Sequence, residues 1–278
     1  MTIKDLVRLS LVEDLGDGDH TSLATVPYSA EGEAVMLAKE NGVLSGMEVA
    51  KEVFKQIDED TDVEILMQDG SLISPGNKLM MVKGRSRSLL SAERTALNFV
   101  QRMSGIATFT NQVAKKIDGL HTKLLDTRKT TPCNRVVEKM AVKTGGGFNH
   151  RFGLYDMIMI KDNHVDFAGG IEKAIVATNE YLRKNGKDLK IELEVRNFDE
   201  LEEAMRVGGV HRIMLDNFSP GELREALRVI DGKYETEASG GISIDTIRDY
   251  AETGVDYISV GALTHQIRSL DLSLKAGF

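Results

Sequence analysis

The chain has 278 residues, about twice the usual length of a domain, so we expect one large barrel or a barrel with a smaller companion. Its net charge of -8 argues against nucleic acid as a partner, since binding a polyanion needs an excess of cations. The single cysteine, Cys133, excludes an internal disulfide. Acidic residues interrupt the N-terminus and no apolar run reaches the length of a membrane span, so we expect a cytoplasmic protein that binds no membrane.

The first part of the chain is predicted to mix helices and strands with mostly antiparallel connections. Apolar residues at helical spacing predict a leading helix that ends at the sequence GDGD. The predicted elements are a helix over 3–15, strands within 33–46, a helix over 46–58, strands within 63–84, and a long helix over 88–117 with a break at Gly105.

After Gly119 the pattern becomes strand, polar loop and helix, repeated. Helices are predicted at 170–184, 198–207, 219–230 and 243–253. Short buried strands are predicted at 122–126, 156–160, 191–195, 212–216, 234–238 and 257–261. The last four strand ends are 21, 22 and 23 residues apart, the repeat of a βα unit, which favours a parallel α/β barrel. The alternative is a doubly wound sheet, but the loop after its first strand, DTRKTTP, lacks the expected glycines. Six strands are fewer than eight, so an incomplete barrel is expected.

Polar residues follow every predicted strand, and function in such barrels collects at the carboxyl ends of the strands. A single polar residue after a strand is more often a helix cap, whereas polar residues at the ends of six strands along one edge favour a functional site. The sets are Asp126 with Arg128 and Lys129; Lys161, Asp162 and His164; Glu194 and Arg196; Asp216 and Asn217; Ser239, Gly240 and Gly241; and Gly261 with His265.

Charge and glycine patterns indicate an anionic ligand. Residues 123–151 carry seven Lys and Arg against two Asp and Glu, which fits a small anion, although Lys139 and Lys143 also fit a solvated helix face. Glycine-rich turns in EASGGIS and SVGALTH, each before a predicted helix, favour a phosphate, and the first helix is expected near Ser243. The carboxylates of Glu194 and Asp216 could hold Mg²⁺ through its waters, bind ribose hydroxyls or balance a developing cation; structural carboxylates are the alternative.

Several motifs together resemble the quinolinate phosphoribosyltransferases, the carboxylating nicotinate-nucleotide pyrophosphorylases of NAD biosynthesis. They are EDLGDGD at 13–19, SAERTALNFVQRMSGIAT at 91–108, DTRKTTP at 126–132, KTGGGFNHRFGLYDMIMIKDNH at 143–164, IELEV at 191–195, MLDN at 214–217 and EASGGI at 237–242. The likeness covers nearly the whole chain. One departure is Cys133 with Asn134, where the family usually has a Gly-Leu or similar pair before an arginine.

The resemblance implies a type II phosphoribosyltransferase: an N-terminal α/β sandwich over 1–110, joined by the C-terminal tail 266–278, and an open seven-stranded α/β barrel over 111–265. The strand missing from our count would lie around 140–150. A homodimer with shared sites is implied, with a higher assembly left open. The implied reaction converts quinolinate and phosphoribosyl pyrophosphate, with Mg²⁺, into nicotinate mononucleotide, pyrophosphate and CO₂.

The resemblance also implies roles for individual residues. Arg128, His150, Arg151 and Lys161, with Thr127, would hold the quinolinate carboxylates, and Arg94 would reach in from the partner subunit. Lys129, Glu194 and Asp216 would serve the pyrophosphate, its metal and the ribose. Ser239, Gly240, Gly241, Val260, Gly261, Ala262 and His265 would surround the 5′-phosphate.

Two alternatives remain open. One is a same-fold phosphoribosyltransferase with a different acceptor, either a molybdenum-associated relative or a nicotinate-using enzyme. The other is a catalytically silent barrel that binds a phosphorylated metabolite. The presence of Arg128, Lys129, Glu194 and Asp216 argues against a silent barrel, and that of Arg94, His150, Arg151 and Lys161 favours a dicarboxylate over nicotinate.

Overall fold

The computed structural model of the protein describes residues 1–277. The chain divides into two compact units. The first contains residues 1–111, 129–146 and the C-terminal segment from Leu263, and the second contains residues 112–128 and 147–262. The last residue of the predicted tail 266–278 lies outside the described residues.

Helices and strands follow one another along the chain in the order that sets up two main sheets. They are α1 Ile3–Leu15, α2 His20–Thr25, β1 Glu31–Ala38, β2 Gly42–Val43, α3 Met47–Ile57, β3 Asp62–Ile65, β4 Leu72–Ile73, β5 Lys78–Arg85, α4 Ser86–Lys116, β6 Lys123–Leu125, α5 Arg135–Thr144, β7 Ile158–Ile160, α6 Asp162–Ala168, α7 Ile171–Asn185, β8 Ile191–Val195, α8 Phe198–Val207, β9 Arg212–Asp216, α9 Pro220–Ile230, β10 Glu235–Ser239, α10 Ile247–Ala251, β11 Tyr257–Ser259, α11 Ala262–His265 and β12 Leu272–Gly277.

The first unit is built on an antiparallel sheet with the strand order β12-β1-β5-β3. Alternate residues of β1 are buried, as expected for a strand with one face on a core. The helix α1 begins with a capping box at Thr2 and Asp5 and packs against α3. The predicted antiparallel connections and leading helix are therefore confirmed.

The long helix α4 runs through Gly105 without a break, so the predicted break there is wrong. A Cβ atom on Gly105 would lie 2.3 Å from the carbonyl oxygen of Arg268. The glycine therefore permits a close approach of the C-terminal segment to the helix, which is a packing role rather than a helix-breaking one.

The second unit is built on a parallel sheet with the order β6-β11-β10-β9-β8-β7. Neighbouring strands follow one another along the chain, and the last strand, β11, pairs with the first, β6. That order belongs to an α/β barrel whose opening lies between β6 and β7, and it differs from a doubly wound sheet. The seventh strand expected around 140–150 is a single bridge from Phe148 to Leu125, because residues 135–144 form α5.

The helices between these strands lie close to their predicted positions, with one correction. The helix predicted to begin near Ser243 begins at Ile247, after a turn in which the Ser243 backbone N–H donates to the Thr246 hydroxyl oxygen at 3.0 Å. Among residues 1–277, no helix combines the length and apolar character needed to cross a membrane.

Candidate active site

One face of the parallel sheet carries most of its charged and polar side chains. The register places Glu192 opposite Arg212, Arg212 opposite Glu235, and Asp216 opposite Ser239. Side chains alternate across a strand, so these residues share one face. The other face carries buried apolar residues of the same strands: Leu193, Ile213, Leu215 and Ala238. The predicted polar strand ends are thus the outer layer of a polar face.

Asp126, which follows β6, holds the segment that carries His150 and Arg151. Its buried carboxylate accepts the His150 backbone N–H at 2.9 Å and the Asn149 side-chain amide at 2.6 Å. The Asp126 backbone N–H donates to the Phe148 carbonyl oxygen at 3.0 Å. Asp126 therefore fixes the backbone position from which the Arg151 side chain extends.

Arg151 and Arg128 form a cationic pair at this end of the sheet. Arg151 is partly buried and donates to the Met157 carbonyl oxygen at 3.2 Å. Burial lowers the pKa of Arg151, and the positive charge of Arg128 lowers it further. Two guanidinium groups that repel each other favour an anion between them, and their forked donors suit a carboxylate.

A second charged pair joins β7 to β8. The Lys161 Nζ lies 3.8 Å from Glu194 Oε2, and the Glu194 side chain is only 10% exposed. Burial raises the pKa of Glu194, an effect that Lys161 opposes and the negative charge of Asp216 reinforces. A further cation beside Glu194 and Asp216 would relieve that repulsion, so this donor set fits a divalent ion that prefers carboxylate oxygens.

Asp216 lies at the junction of two strand-end turns. Its carboxylate accepts the Ser239 hydroxyl and the Asn217 side-chain amide, both at 2.6 Å. A Cβ atom on Gly240, whose φ is 92°, would lie 2.2 Å from Asn217 Oδ1 and 2.8 Å from its backbone nitrogen. Gly241 has a φ of 63° and faces open space. Glycine is thus required at 240 for a close backbone approach.

The end of β11 supplies the last predicted residues of this unit. The buried Val260 donates its backbone N–H to the Leu125 carbonyl oxygen at 3.0 Å, and α11 begins immediately after Gly261 at Ala262. Thr127, which follows Asp126, is partly buried. The structure therefore brings the predicted residues of the second unit to the carboxyl ends of β6 to β11.

Three predicted residues belong to the first unit. Arg94 is exposed on α4, and His265 is exposed at the end of α11. Lys129 has an exposed side chain, and its carbonyl oxygen accepts the Thr264 hydroxyl at 2.8 Å. Lys139 and Lys143 lie on α5, where one interpretation was a solvated helix face. That interpretation is wrong for Lys139, which is 1% exposed, whereas Lys143 is exposed.

A buried charged cluster beneath the strand ends was not predicted. His150 Nε2 lies 2.9 Å from Glu192 Oε2 and 3.3 Å from Glu237 Oε2. Arg212 Nη1 lies 3.0 Å from Glu237 Oε2 and 3.9 Å from Glu192 Oε1, and its guanidinium lies 3.9 Å from the centre of the Tyr257 ring. The Glu192 and Glu237 side chains are fully buried and that of His150 is 5% exposed. We define these four residues, His150, Glu192, Arg212 and Glu237, as the charged cluster.

The charged cluster balances its own charge. Its imidazole and carboxylates are close enough to hold a metal ion, but the Arg212 guanidinium already pairs with Glu237 at 3.0 Å and lies 3.9 Å from Glu192. Burial disfavours a charge on His150, and burial together with the negative charge of Glu237 raises the pKa of Glu192 to about 7. The backbone N–H of Arg151 donates to His150 Nδ1 at 2.7 Å, so we assign the ring proton to Nε2 and a lone pair to Nδ1.

A cavity lies at the opposite, amino ends of the strands. Its lining includes Lys190, His211 and Glu235 and none of the predicted site residues. The strand order and the carboxyl-end residues instead define the class of the protein: a parallel α/β fold with cationic and carboxylate side chains at the carboxyl ends of its strands, an arrangement typical of α/β barrel enzymes that bind small anions.

Comparison with known proteins narrows this class to one family. Sequence models described as quinolinate phosphoribosyl transferase, N-terminal domain, and quinolinate phosphoribosyl transferase, C-terminal domain, match residues 19–104 and 106–275. The chain therefore belongs to the quinolinate phosphoribosyltransferase family, and the resemblance found in its motifs is confirmed.

Individual relatives agree with this assignment. Quinolinate phosphoribosyltransferase [decarboxylating] 1b of Nicotiana tabacum is 44% identical over 98% of this chain and 82% of its own length. The probable nicotinate-nucleotide pyrophosphorylase [carboxylating] of Bacillus subtilis is 40% identical over 99% of this chain and 93% of its own. The solved nicotinate-nucleotide pyrophosphorylase of Francisella tularensis aligns with a TM-score of 0.91 at 41% identity, covering 99% of this chain and 96% of its own.

Proposed function

We propose that the protein transfers the phosphoribosyl group of phosphoribosyl pyrophosphate to quinolinate with decarboxylation, giving nicotinate mononucleotide, pyrophosphate and CO₂ in NAD biosynthesis. The observation that carries this proposal is the partly buried Arg151, which donates to the Met157 carbonyl oxygen and whose pKa is lowered by burial and by the positive charge of Arg128, an arrangement that suits a carboxylate ligand. Membership of the quinolinate phosphoribosyltransferase family supports the same substrate.

The acceptor would be held by cations around the ends of β6 and β7. In the proposal Arg128, Arg151 and Lys161, with Thr127 and His150, form the quinolinate site, and the exposed Arg94 completes it from a partner subunit. Two arginine forks suit carboxylates because each can donate two parallel hydrogen bonds. Bound in this way, the acceptor would present its ring nitrogen to the ribose in a fixed orientation.

The donor substrate would lie across the ends of β8 to β11. The turns at Ser239, Gly240 and Gly241, and at Val260, Gly261 and Ala262, would surround the 5′-phosphate with His265 nearby. Lys129 would bind the pyrophosphate. Asp216, whose carboxylate is oriented by Ser239 and Asn217, would be placed for the ribose hydroxyls or for a metal.

Mg²⁺ is proposed as the cofactor, bound with phosphoribosyl pyrophosphate. Glu194 and Asp216 would hold it through its waters, because the negative charge of Asp216 already raises the pKa of Glu194. When bound, the ion would neutralise charge on the departing pyrophosphate.

Catalysis would rest on charge placement. As pyrophosphate leaves, positive charge develops on the ribose, and the carboxylates of Glu194 and Asp216 would stabilise it electrostatically. Lys129 would stabilise the departing pyrophosphate oxygens. After the nitrogen–carbon bond forms, loss of CO₂ leaves an electron pair on the ring carbon, which the positively charged pyridinium ring stabilises. That carbon then takes up a proton from water to give nicotinate mononucleotide, so no side chain is assigned as general acid.

A homodimer that shares its active sites, in the cytoplasm, completes the proposal. A dimer would explain why Arg94 is predicted at the site although it is exposed on α4.

The purified protein supplied with phosphoribosyl pyrophosphate, Mg²⁺ and either quinolinate or nicotinate tests the proposed activity. We expect CO₂ and pyrophosphate in equal amounts with quinolinate, and neither product with nicotinate. Arg128→Ala is the matched variant, expected to raise KM for quinolinate by about tenfold or more through loss of a charged hydrogen bond. Turnover of nicotinate without quinolinate use would overturn the acceptor, and no turnover with either would favour a silent barrel.

A further inference from the structure

The charged cluster lies directly beneath the proposed acceptor site, and the proposed reaction gives three of its members no role. Glu192, Arg212 and Glu237 come from three adjacent strands, β8, β9 and β10. Burying two carboxylates and a guanidinium is costly unless they are paired closely. A charged cluster that replaces apolar packing at this cost is expected to position a nearby functional group.

His150 is the link between the cluster and the site. Its Nε2 faces the carboxylates of Glu192 and Glu237, and its Nδ1 accepts the backbone N–H of Arg151. Since its side chain is only 5% exposed and both ring nitrogens face protein groups, the ring is poorly placed to bind a substrate carboxylate itself. It is well placed to orient the next residue.

Arg151 is held from three sides. His150 Nδ1 accepts its backbone N–H, the Met157 carbonyl oxygen accepts from its guanidinium, and Asp126 anchors the preceding residue through the His150 backbone N–H. The Met157 contact fixes the guanidinium, whose pKa is lowered by burial and by the positive charge of Arg128. A rigid cationic pair binds a dianion at a smaller entropic cost than a mobile one.

We propose that the buried carboxylates of Glu192 and Glu237, the second of which is held by Arg212, fix the His150 ring so that it orients Arg151 toward the acceptor dicarboxylate. Glu192, Arg212, Glu237 and His150 are thus positioning residues, and Arg151 is the residue that contacts the substrate. This inference rests on the proposed function and deepens it, because it assigns His150 a role behind the site in place of a direct contact.

Direct binding of quinolinate, measured by calorimetry on the full-length protein, tests the inference without turnover. His150→Ala is expected to weaken quinolinate binding by about tenfold, the loss expected for a hydrogen bond that orients a charged group. His150→Asn keeps an acceptor close to the position of Nδ1 and is expected to recover part of that loss. KM for phosphoribosyl pyrophosphate should stay within about twofold in both variants.

A double-variant cycle separates positioning from direct contact. If His150 acts through Arg151, then His150→Ala combined with Arg151→Ala binds quinolinate no more weakly than Arg151→Ala alone. Additive losses would show that His150 contacts the ligand itself and would overturn the inference. Glu237→Gln, which removes one charge from the cluster, should reproduce the His150→Ala pattern if it folds, and the His150→Asn result decides the matter if it does not.

His211→Ala is the matched control. His211 Nδ1 also accepts a backbone N–H, from Ile191 at 2.9 Å, but at the amino ends of the strands. His211→Ala should leave quinolinate binding unchanged. A loss of affinity equal to that of His150→Ala would mean that the His150 effect is a general structural one, contrary to the inference. Failure of the wild-type protein to bind quinolinate would instead count against the proposed function.

Discussion

Gly240 and Asn217 show how closely two strand-end turns approach each other at the proposed phosphate site. Any side chain at 240 would meet both the Asn217 side chain and its backbone, and the φ of 92° adds strain for an L residue. Gly240→Ala is therefore expected to cost about 1–2 kcal/mol of stability. It should also raise KM for phosphoribosyl pyrophosphate, because Asn217 and its partner Asp216 must move.

Gly254→Ala is the control for this prediction. Gly254 has a nearly equal φ of 94°, but a Cβ atom there would meet nothing within 4 Å. Urea denaturation of both variants measures the cost of backbone strain, and steady-state kinetics measure the effect of displacing Asn217 and Asp216. Equal KM values for the two variants would show that the close approach at Gly240 has no bearing on the phosphate site.

Sequence reasoning located the residues at the strand ends but not those within the strands. Asp216 stood out because it closes its strand, and Glu194 because it lies one residue before the end of its strand. Glu192 and Glu237 lie farther inside their strands. Their charges become informative only once the cross-strand register sets Glu192 opposite Arg212, and Glu237 opposite Met214, two residues after Arg212 on β9. The alternation of charged and apolar residues in IELEV was the available signal, since an apolar barrel interior would have given a continuous apolar run.

At the scale of elements, Asp58 ties together three pieces of the first unit. It follows α3, and its carboxylate accepts Arg85 Nε from the end of β5 at 2.6 Å and the Ser88 hydroxyl from α4 at 2.8 Å. The Arg85 hydrogen bond lowers the pKa of Asp58 to about 2, against the opposing effect of burial. Asp58→Asn should lower the free energy of unfolding at pH 7 by about 1–2 kcal/mol, a modest loss because Arg85 is half exposed.

The pH dependence follows from the lowered pKa of Asp58. Its folded-state value lies below the ordinary 3.8, so its contribution is complete above that pH and disappears as the pH falls toward 2. Urea denaturation from pH 7 down to pH 3 should show the difference between wild type and Asp58→Asn narrowing in acid. Asp60→Asn is the control: Asp60 is 94% exposed and 3.8 Å from Arg85, and its loss should change stability by less than about 0.5 kcal/mol.

Hydrophobic periodicity predicted the elements with a long or repeated pattern, but it missed features that depend on contacts between residues far apart in the sequence. The six parallel strands and α7, α8 and α9 were predicted because each buries one face in a regular order. The continuity of α4 depends on Arg268, which is 163 positions away from Gly105, and no local pattern could report that contact. The expected seventh strand is absent because residues 135–144 form an amphipathic helix and, of the described residues in 140–150, only Phe148 bridges to β6.

For the whole molecule, net charge and local charge lead to different conclusions. The total of -8 argues against nucleic acid, yet taken as an average it would also argue against anionic substrates. The cationic stretch 123–151 instead ends at Arg151, whose charge is held beside that of Arg128. Focusing of a small dianion therefore depends on the arrangement of a few groups and not on the total.

The proposed shared site makes a prediction about mixed dimers. Arg94→Ala and Arg151→Ala should each be nearly inactive, because each removes a proposed ligand of the acceptor. If Arg94 serves the partner's barrel, a hybrid of the two variants contains one intact site, and random exchange of subunits should restore about a quarter of wild-type activity. If Arg94 served its own barrel, no hybrid would contain an intact site and activity would stay at the level of the separate variants.

A second mixture provides the control for exchange and for non-specific recovery. Arg151→Ala with Lys161→Ala removes two residues of the same barrel, so the sharing of Arg94 cannot rebuild a site and no recovery is expected. Differently tagged subunits, co-purified before the assay, report the fraction of hybrids in both mixtures. Equal activity in the two mixtures at the same hybrid fraction would mean that Arg94 does not cross between subunits, and the proposed dimeric site would then be wrong.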